Sequence, residues 1–135
     1  MNREIKYRGL TSNGNWVYGN LIQGKNGACY ICSINENPVY KNGDYWYIDS
    51  PCYVVIPETV GQFTGLKDQN GEEAYEGDVL ELNNCGLLIV CFYKGEFKLQ
   101  KLAEYHKKRN LYASISYLEF SVLRGNIYEN PNLLQ

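Results

Sequence analysis

Three carboxylates within one short stretch, Asp68, Glu76 and Asp78, are the residues whose types and spacing could do chemistry. Hard divalent cations need several carboxylate oxygens converging on one point, so this trio could hold magnesium or manganese in an enzyme of nuclease type. A structural reading competes with it. Asp68 opens the turn Asp68-Gln69-Asn70-Gly71, and Glu76 and Asp78 flank Gly77 just before an apolar run; acids at such positions ordinarily accept hydrogen bonds from loop amides. The structural role is the expectation, and no catalytic residue is assigned.

The other chemistry-bearing side chains point the same way. Cys29-Tyr30-Ile31-Cys32 is a CxxC inside an apolar stretch that reads as a strand, where positions three apart face opposite sides of a sheet. Zinc sites place CxxC in a turn and need a second pair, which Cys52, Cys85 and Cys91 do not supply. Five cysteines are an odd number, and the first residues run into a strand pattern with no signal-peptide core. All five are therefore expected to be free thiols, with no metal and no cofactor. His106, the only histidine, has no Ser, Cys or second His beside it in sequence. Lys98, Lys101, Lys107, Lys108 and Arg109 gather around Tyr105, His106 and Tyr112, a mixture suited to phosphate contact with base stacking. A solvated helix face explains the same charges; Lys101, Lys107, Lys108 and Arg109 are kept as a candidate nucleic-acid contact.

The elements that must position these residues are strands. Ile5 and Tyr7 alternate with charged residues, Ser12-Asn13-Gly14 turns, and Trp16-Val17-Tyr18 returns, which is the pattern of a hairpin. Ala28 to Ile34, Tyr45 to Ile48 and Tyr53 to Ile56 are further strands, the last bounded by Pro51 and Pro57. Val79 to Leu82, Leu87 to Tyr93 and Phe97 to Leu99 predict a three-stranded meander. Leu99, Leu102, Ala103 and His106 follow helical spacing for about two turns. Leu118, Phe120 and Val122 then resume period two.

Two segments carry a resemblance. The run VGQFTGLKDQNGEEAYEGDV from Val60 to Val79, with Arg124-Gly125-Asn126-Ile127-Tyr128-Glu129-Asn130-Pro131 near the end, resembles the YopX family of small phage and prophage proteins. The opening Arg3-Glu4-Ile5-Lys6-Tyr7-Arg8 followed by Trp16-Val17-Tyr18-Gly19 is similar to that family's start, so the likeness spans nearly the whole chain. Its motif positions, here Gly61, Thr64, Gly65, Asp68, Gly71, Tyr75, Glu76, Gly77, Asp78, Gly125 and Asn126, are expected to be structural. The resemblance implies a compact β-rich fold with SH3-type barrel topology in the C-terminal part, and it brings no established activity. The sequence departs from the family pattern at Ala74 and Arg124, where larger aliphatic and aliphatic residues are usual.

Composition bounds the rest. At 135 residues the chain suits one compact unit over 1–135, with a subdivision into a β-rich part, 1–56, and a barrel part, 57–135. The expected class is mainly β, with at most one or two short helices. A net charge of −2 and a pI near 5.4 argue against a strong sequence-independent nucleic-acid binder. No apolar run approaches the roughly 20 residues that span a bilayer, so a cytoplasmic, membrane-free protein is expected. Thirteen tyrosines, with Tyr45-Trp46-Tyr47 placing aromatics on both faces of one strand, favour protein contact, either a homo-oligomer or a protein partner. The expected function is thus a non-enzymatic binding or self-assembling module, with a weak nucleic-acid binder and a metal-dependent enzyme as alternatives.

Overall fold

The computed structural model describes residues 3–33, 39–48 and 51–130, of which 39–42 and 45–48 are described as backbone only. The fold is mainly β, and it divides into two compact units, Glu4–Gln62 and Phe63 onward. Among the described residues no helix is long and apolar enough to cross a membrane.

In the N-terminal unit, β1 (Tyr7–Leu10) and β2 (Trp16–Gln23) form the expected hairpin, with Leu10 opposite Trp16 and Tyr7 opposite Gly19. β3 (Cys29–Cys32) pairs with β2 across a turn at Gly24 to Gly27. A separate hairpin of β4 (Val39–Asn42) and β5 (Tyr45–Ile48) follows. Then β6 (Cys52–Val55) returns beside β3, giving the antiparallel order β6-β3-β2-β1. A short 3-10 turn, Pro57–Thr59, leads into β7 (Gly61–Lys67), whose first residues pair with β1. Period two sorts the side chains. Cys29, Ile31 and Val55 are buried among Tyr7, Val17, Leu21 and Val60; their strand neighbours Ile22, Tyr30 and Val54 face the other side.

From Phe63, β7 pairs with β8 (Glu73–Tyr75), and Phe63 meets Tyr75 with ring centroids 5.5 Å apart. β9 (Asp78–Leu82), β10 (Gly86–Tyr93) and β11 (Glu96–Lys101) form the predicted meander. A one-turn helix α1 (Leu102–His106) follows, on the stretch that showed helical spacing. β12 (Ala113–Ser114) pairs with β11, and β13 (Val122–Asn126) pairs with β9, so the sheet order is β12-β11-β10-β9-β13. Between them, Leu118 and Phe120 do not continue a strand, as period two had implied. They lie in a 3-10 helix, Ile115–Phe120, which Ser114 caps by accepting from Ser116 N–H, and which turns Leu118 fully inward while Phe120 stays exposed. The core of this unit is Ala74, Leu80, Leu88, Val90, Leu99 and Leu118. Ala74 is completely buried there, so the small residue suits its crowded surroundings. Arg124, the other departure, is exposed and donates from Nε and Nη2 to Glu81 Oε1 at 3.0 and 2.9 Å across the β9–β13 pair.

Candidate functional site

The two motif segments, distant in sequence, become neighbouring strands: Asp78 lies opposite Asn126, and Val79 opposite Gly125 at a bulge in β13. Asp68 ties them further. Its Oδ1 accepts from the N–H groups of Asn70 and Glu72, both at 2.9 Å, and its Oδ2 accepts from Leu123 N–H at 2.8 Å, a partner 55 positions away. Burial pushes the Asp68 carboxyl up, but the amides of Leu123, Glu72, Asn70 and Gly71 outweigh it and hold the group below its ordinary 3.8. Gly71 closes that turn at φ +84°, with its N–H donating to Asp68 O.

Asp78, almost fully buried, accepts from Tyr75 N–H at 2.7 Å through Oδ2 and so braces the bend at Glu76-Gly77. Gly77 takes φ +94°, and a Cβ there would stand 2.9 Å from Tyr128 Cε2. Its N–H donates to Val90 O, and its carbonyl accepts from Ile127 N–H. Thr64 donates to Ala74 O at 2.8 Å beside Gly65, where β7 and β8 slip register. Gly61 lies buried opposite Arg8. Asn126 accepts from both Tyr128 and Glu129 N–H at 2.9 Å, closing the turn after β13. Glu76 is half-buried at the same bend. Both Asp68 oxygens and Asp78 Oδ2 thus accept from backbone amides, and among the described residues no three His, Cys, Asp or Glu side chains gather as a cation site.

The cysteines depart from expectation. Cys29 and Cys32 do face opposite sides of β3, but Cys32 is joined to Cys52 in a disulfide. The reason is register: Cys32 and Cys52 stand directly opposite on β3 and β6, with Cα atoms 4.1 Å apart. Ser33 N–H bonds Pro51 O one residue along, so the pair occupies a non-hydrogen-bonded rung, where side chains approach most closely. Cys29, Cys85 and Cys91 remain free thiols. Burial and the nearby Glu76 charge push the Cys91 thiol up to about 11, so it stays protonated at neutral pH and is a poor nucleophile.

The structure divides the basic group. Lys107 and Lys108 sit in the turn ending α1, bonded by their N–H groups to Ala103 O and Tyr105 O, with Lys108 at φ +54°. Arg109 Nη1 lies 3.7 Å from Glu104 Oε2, and its carbonyl accepts from the buried Gln100 amide. Lys98 pairs with Glu96, and the Tyr112 ring is stacked on Tyr93 at 4.4 Å, so one of its faces is already covered. His106 makes an edge contact with Tyr105. Lys101 precedes α1 and lines a hollow with Glu104 and Tyr112. It stands opposite Leu88 at the end of β11, on the side of the sheet that carries Leu99 and the core, and lines an apolar cavity of about 210 Å³ with Leu82, Cys85, Leu88, Ala113 and Tyr117. That cavity was not anticipated. Its signal is nonetheless present in the sequence: Leu99 and Lys101 are two apart in a strand, so an inward Leu99 carries Lys101 to the same face.

The fold is similar to a known one. A crystal structure of protein EF1440 from Enterococcus faecalis superposes with a TM-score of 0.65 at 21% sequence identity, covering 99% of this chain and 100% of that one. No curated protein matches the chain. Residues 6–135 match the sequence profile of the family described as YopX protein, and with nearly its whole length covered, the chain belongs to the YopX family.

Proposed function

We propose that this YopX-family protein is a non-enzymatic binding module that self-associates through the outer face of its N-terminal sheet. The observation that carries the reading is a cross-strand apolar stripe. Ile22, Tyr30 and Val54 stand directly opposite one another on β2, β3 and β6, with Ile22 47% and Val54 67% exposed and Tyr18 48% exposed on the same face. Apolar area gains roughly 25 cal/mol per Å² when it leaves water, so such a stripe favours a cover. A second copy is the occupant the chemistry suits, because the stripe is uncharged, ends at the sheet's edge strand β6, and meets itself across a two-fold axis. The side chains of Tyr45, Trp46 and Tyr47 lie outside the described residues.

Against the metal-dependent enzyme stands the engagement of Asp68 and Asp78 by backbone amides. For the C-terminal unit the reading is an SH3-like barrel, supported by the β9–β10–β11 meander and by β13, which returns beside β9 after a 3-10 turn. Origin on phage or prophage DNA, and with it action in the cytoplasm, rests on the family resemblance. Sedimentation velocity tests the assembly. The expected result is an oligomer that survives high salt, since apolar burial is not screened, and that Val54→Asp converts to a folded monomer. A wild-type monomer at every concentration would overturn the proposal.

A further inference from the structure

The geometry points to a binding site for a small amphipathic carboxylate, a short acyl chain or a single aryl ring bearing one anionic group, in the open end of the C-terminal sheet. The site is distinct from the stripe on the N-terminal sheet and does not depend on it. Its walls continue the core: Leu88 is buried, while Leu82 and Ala113 are partly buried against the core cluster. Four strands, the β9–β10 turn and the 3-10 helix each contribute to it, so the walls are held by paired backbone. Apart from one charge, the lining is apolar.

That charge is Lys101. Its position opposite Leu88 runs the aliphatic stem along the cavity wall, and a lysine so placed carries its ammonium to the mouth. Among the described residues Lys101 forms no ion pair and no side-chain hydrogen bond. On the neighbouring element, Glu104 Oε2 faces Arg109 Nη1 at 3.7 Å, beyond hydrogen-bond reach. Lys101 and Ala113 also line a second hollow of about 300 Å³, with Glu104, Leu111 and Tyr112, so Lys101 stands between the two. An apolar body with an anionic head suits the apolar lining and the ammonium at once. A neutral molecule leaves the ammonium unmatched, and a fully polar anion leaves the cavity unfilled. Size narrows the class, because drug-sized pockets run to about 300–1,000 Å³ and this one is smaller.

The test is amide chemical-shift mapping of the full chain titrated with hexanoate and, separately, with hexanol. Saturable hexanoate shifts centred on Leu82, Cys85 and Leu88 are expected, with hexanol at least tenfold weaker. Lys101→Met keeps the stem and removes the charge; it should weaken hexanoate at least tenfold and leave hexanol unchanged. Ala113→Leu, which fills the cavity, should abolish both, with the amide spectrum reporting that the fold is kept. Hexanoate shifts that are absent, that lie elsewhere, or that survive Lys101→Met unchanged would overturn the assignment.

Discussion

Replacing Asp68 by alanine removes a carboxylate that three backbone N–H groups share, and the cost follows from where those groups are left. A hydrogen bond to a charged group contributes about 1.5–3 kcal/mol, so simple addition over three bonds would overstate the loss. Asn70 and Glu72 are exposed in the turn and regain water, whereas Leu123 N–H, half-buried in β13, loses the carboxylate that it bonds. The expected destabilisation for Asp68→Ala is therefore about 3–4 kcal/mol, a large share of the roughly 5–15 kcal/mol of a typical domain. Asp68→Asn keeps one acceptor oxygen for the turn and turns an amide donor toward Leu123, so about 2 kcal/mol is expected. Urea unfolding at neutral pH measures both; at a slope of about 2 kcal/mol per molar, the alanine midpoint falls by roughly 1.5–2 M. The pH dependence gives an independent sign. Because the folded carboxyl titrates below its ordinary 3.8, its stabilisation is complete above that value and fades as pH falls through the folded value. The gap between wild type and Asp68→Asn should thus be widest at neutral pH and narrow in acid. An alanine variant within about 0.5 kcal/mol of wild type at neutral pH would refute the argument that this carboxylate binds the two motif segments together.

Gly77→Val should cost about 2–3 kcal/mol by thermal or urea unfolding, since a β-branched residue meets both the positive φ and the Tyr128 ring; a wild-type melting curve would show that the bend relaxes freely. Alkylation of the unfolded, unreduced chain should modify three thiols, not five, and reducing Cys32–Cys52 should lower stability by about 3 kcal/mol, the chain-entropy value for a loop of this span; five modified thiols in protein kept from oxidants would mean that the pair is open in a reducing cell. If the turn after α1 touches nucleic acid, retention of an oligonucleotide should fall steeply with salt and weaken further in Lys107→Glu with Lys108→Glu; retention unchanged by that double substitution would place the contact elsewhere.

What was legible in the sequence was local periodicity and turn chemistry. The β1–β2 hairpin and the β9–β10–β11 meander follow from alternation between turn residues, and Asp68 and Asp78 accept from loop amides as acids in turns ordinarily do. What was hidden depends on partners far along the chain. Leu118 and Phe120 alternate like strand residues, yet Leu118 is fully buried from a 3-10 turn because the chain must still reverse before β13 can reach β9. The Cys32–Cys52 bond is a fact of register between β3 and β6, and no rule of spacing within one strand reveals which residue will stand opposite.

The motif residues Asp68, Gly77 and Asp78 are engaged by the fold itself. A functional acid must hold oxygens available for something that comes and goes, whereas Asp68 gives its oxygens to the turn beside it and to a strand 55 positions away. Asp78 supports the bend that lets Gly77 meet both β10 and the residues after β13. Each of these bonds makes the neighbouring ones easier to keep, because the same bend and the same strand pair serve several of them. In the two proposals above, binding falls to other side chains: the exposed row of Ile22 and Val54, and Lys101 beside the apolar cavity. These residues lie outside the motif segments, so substituting them tests binding without touching the bonds that hold the motif together.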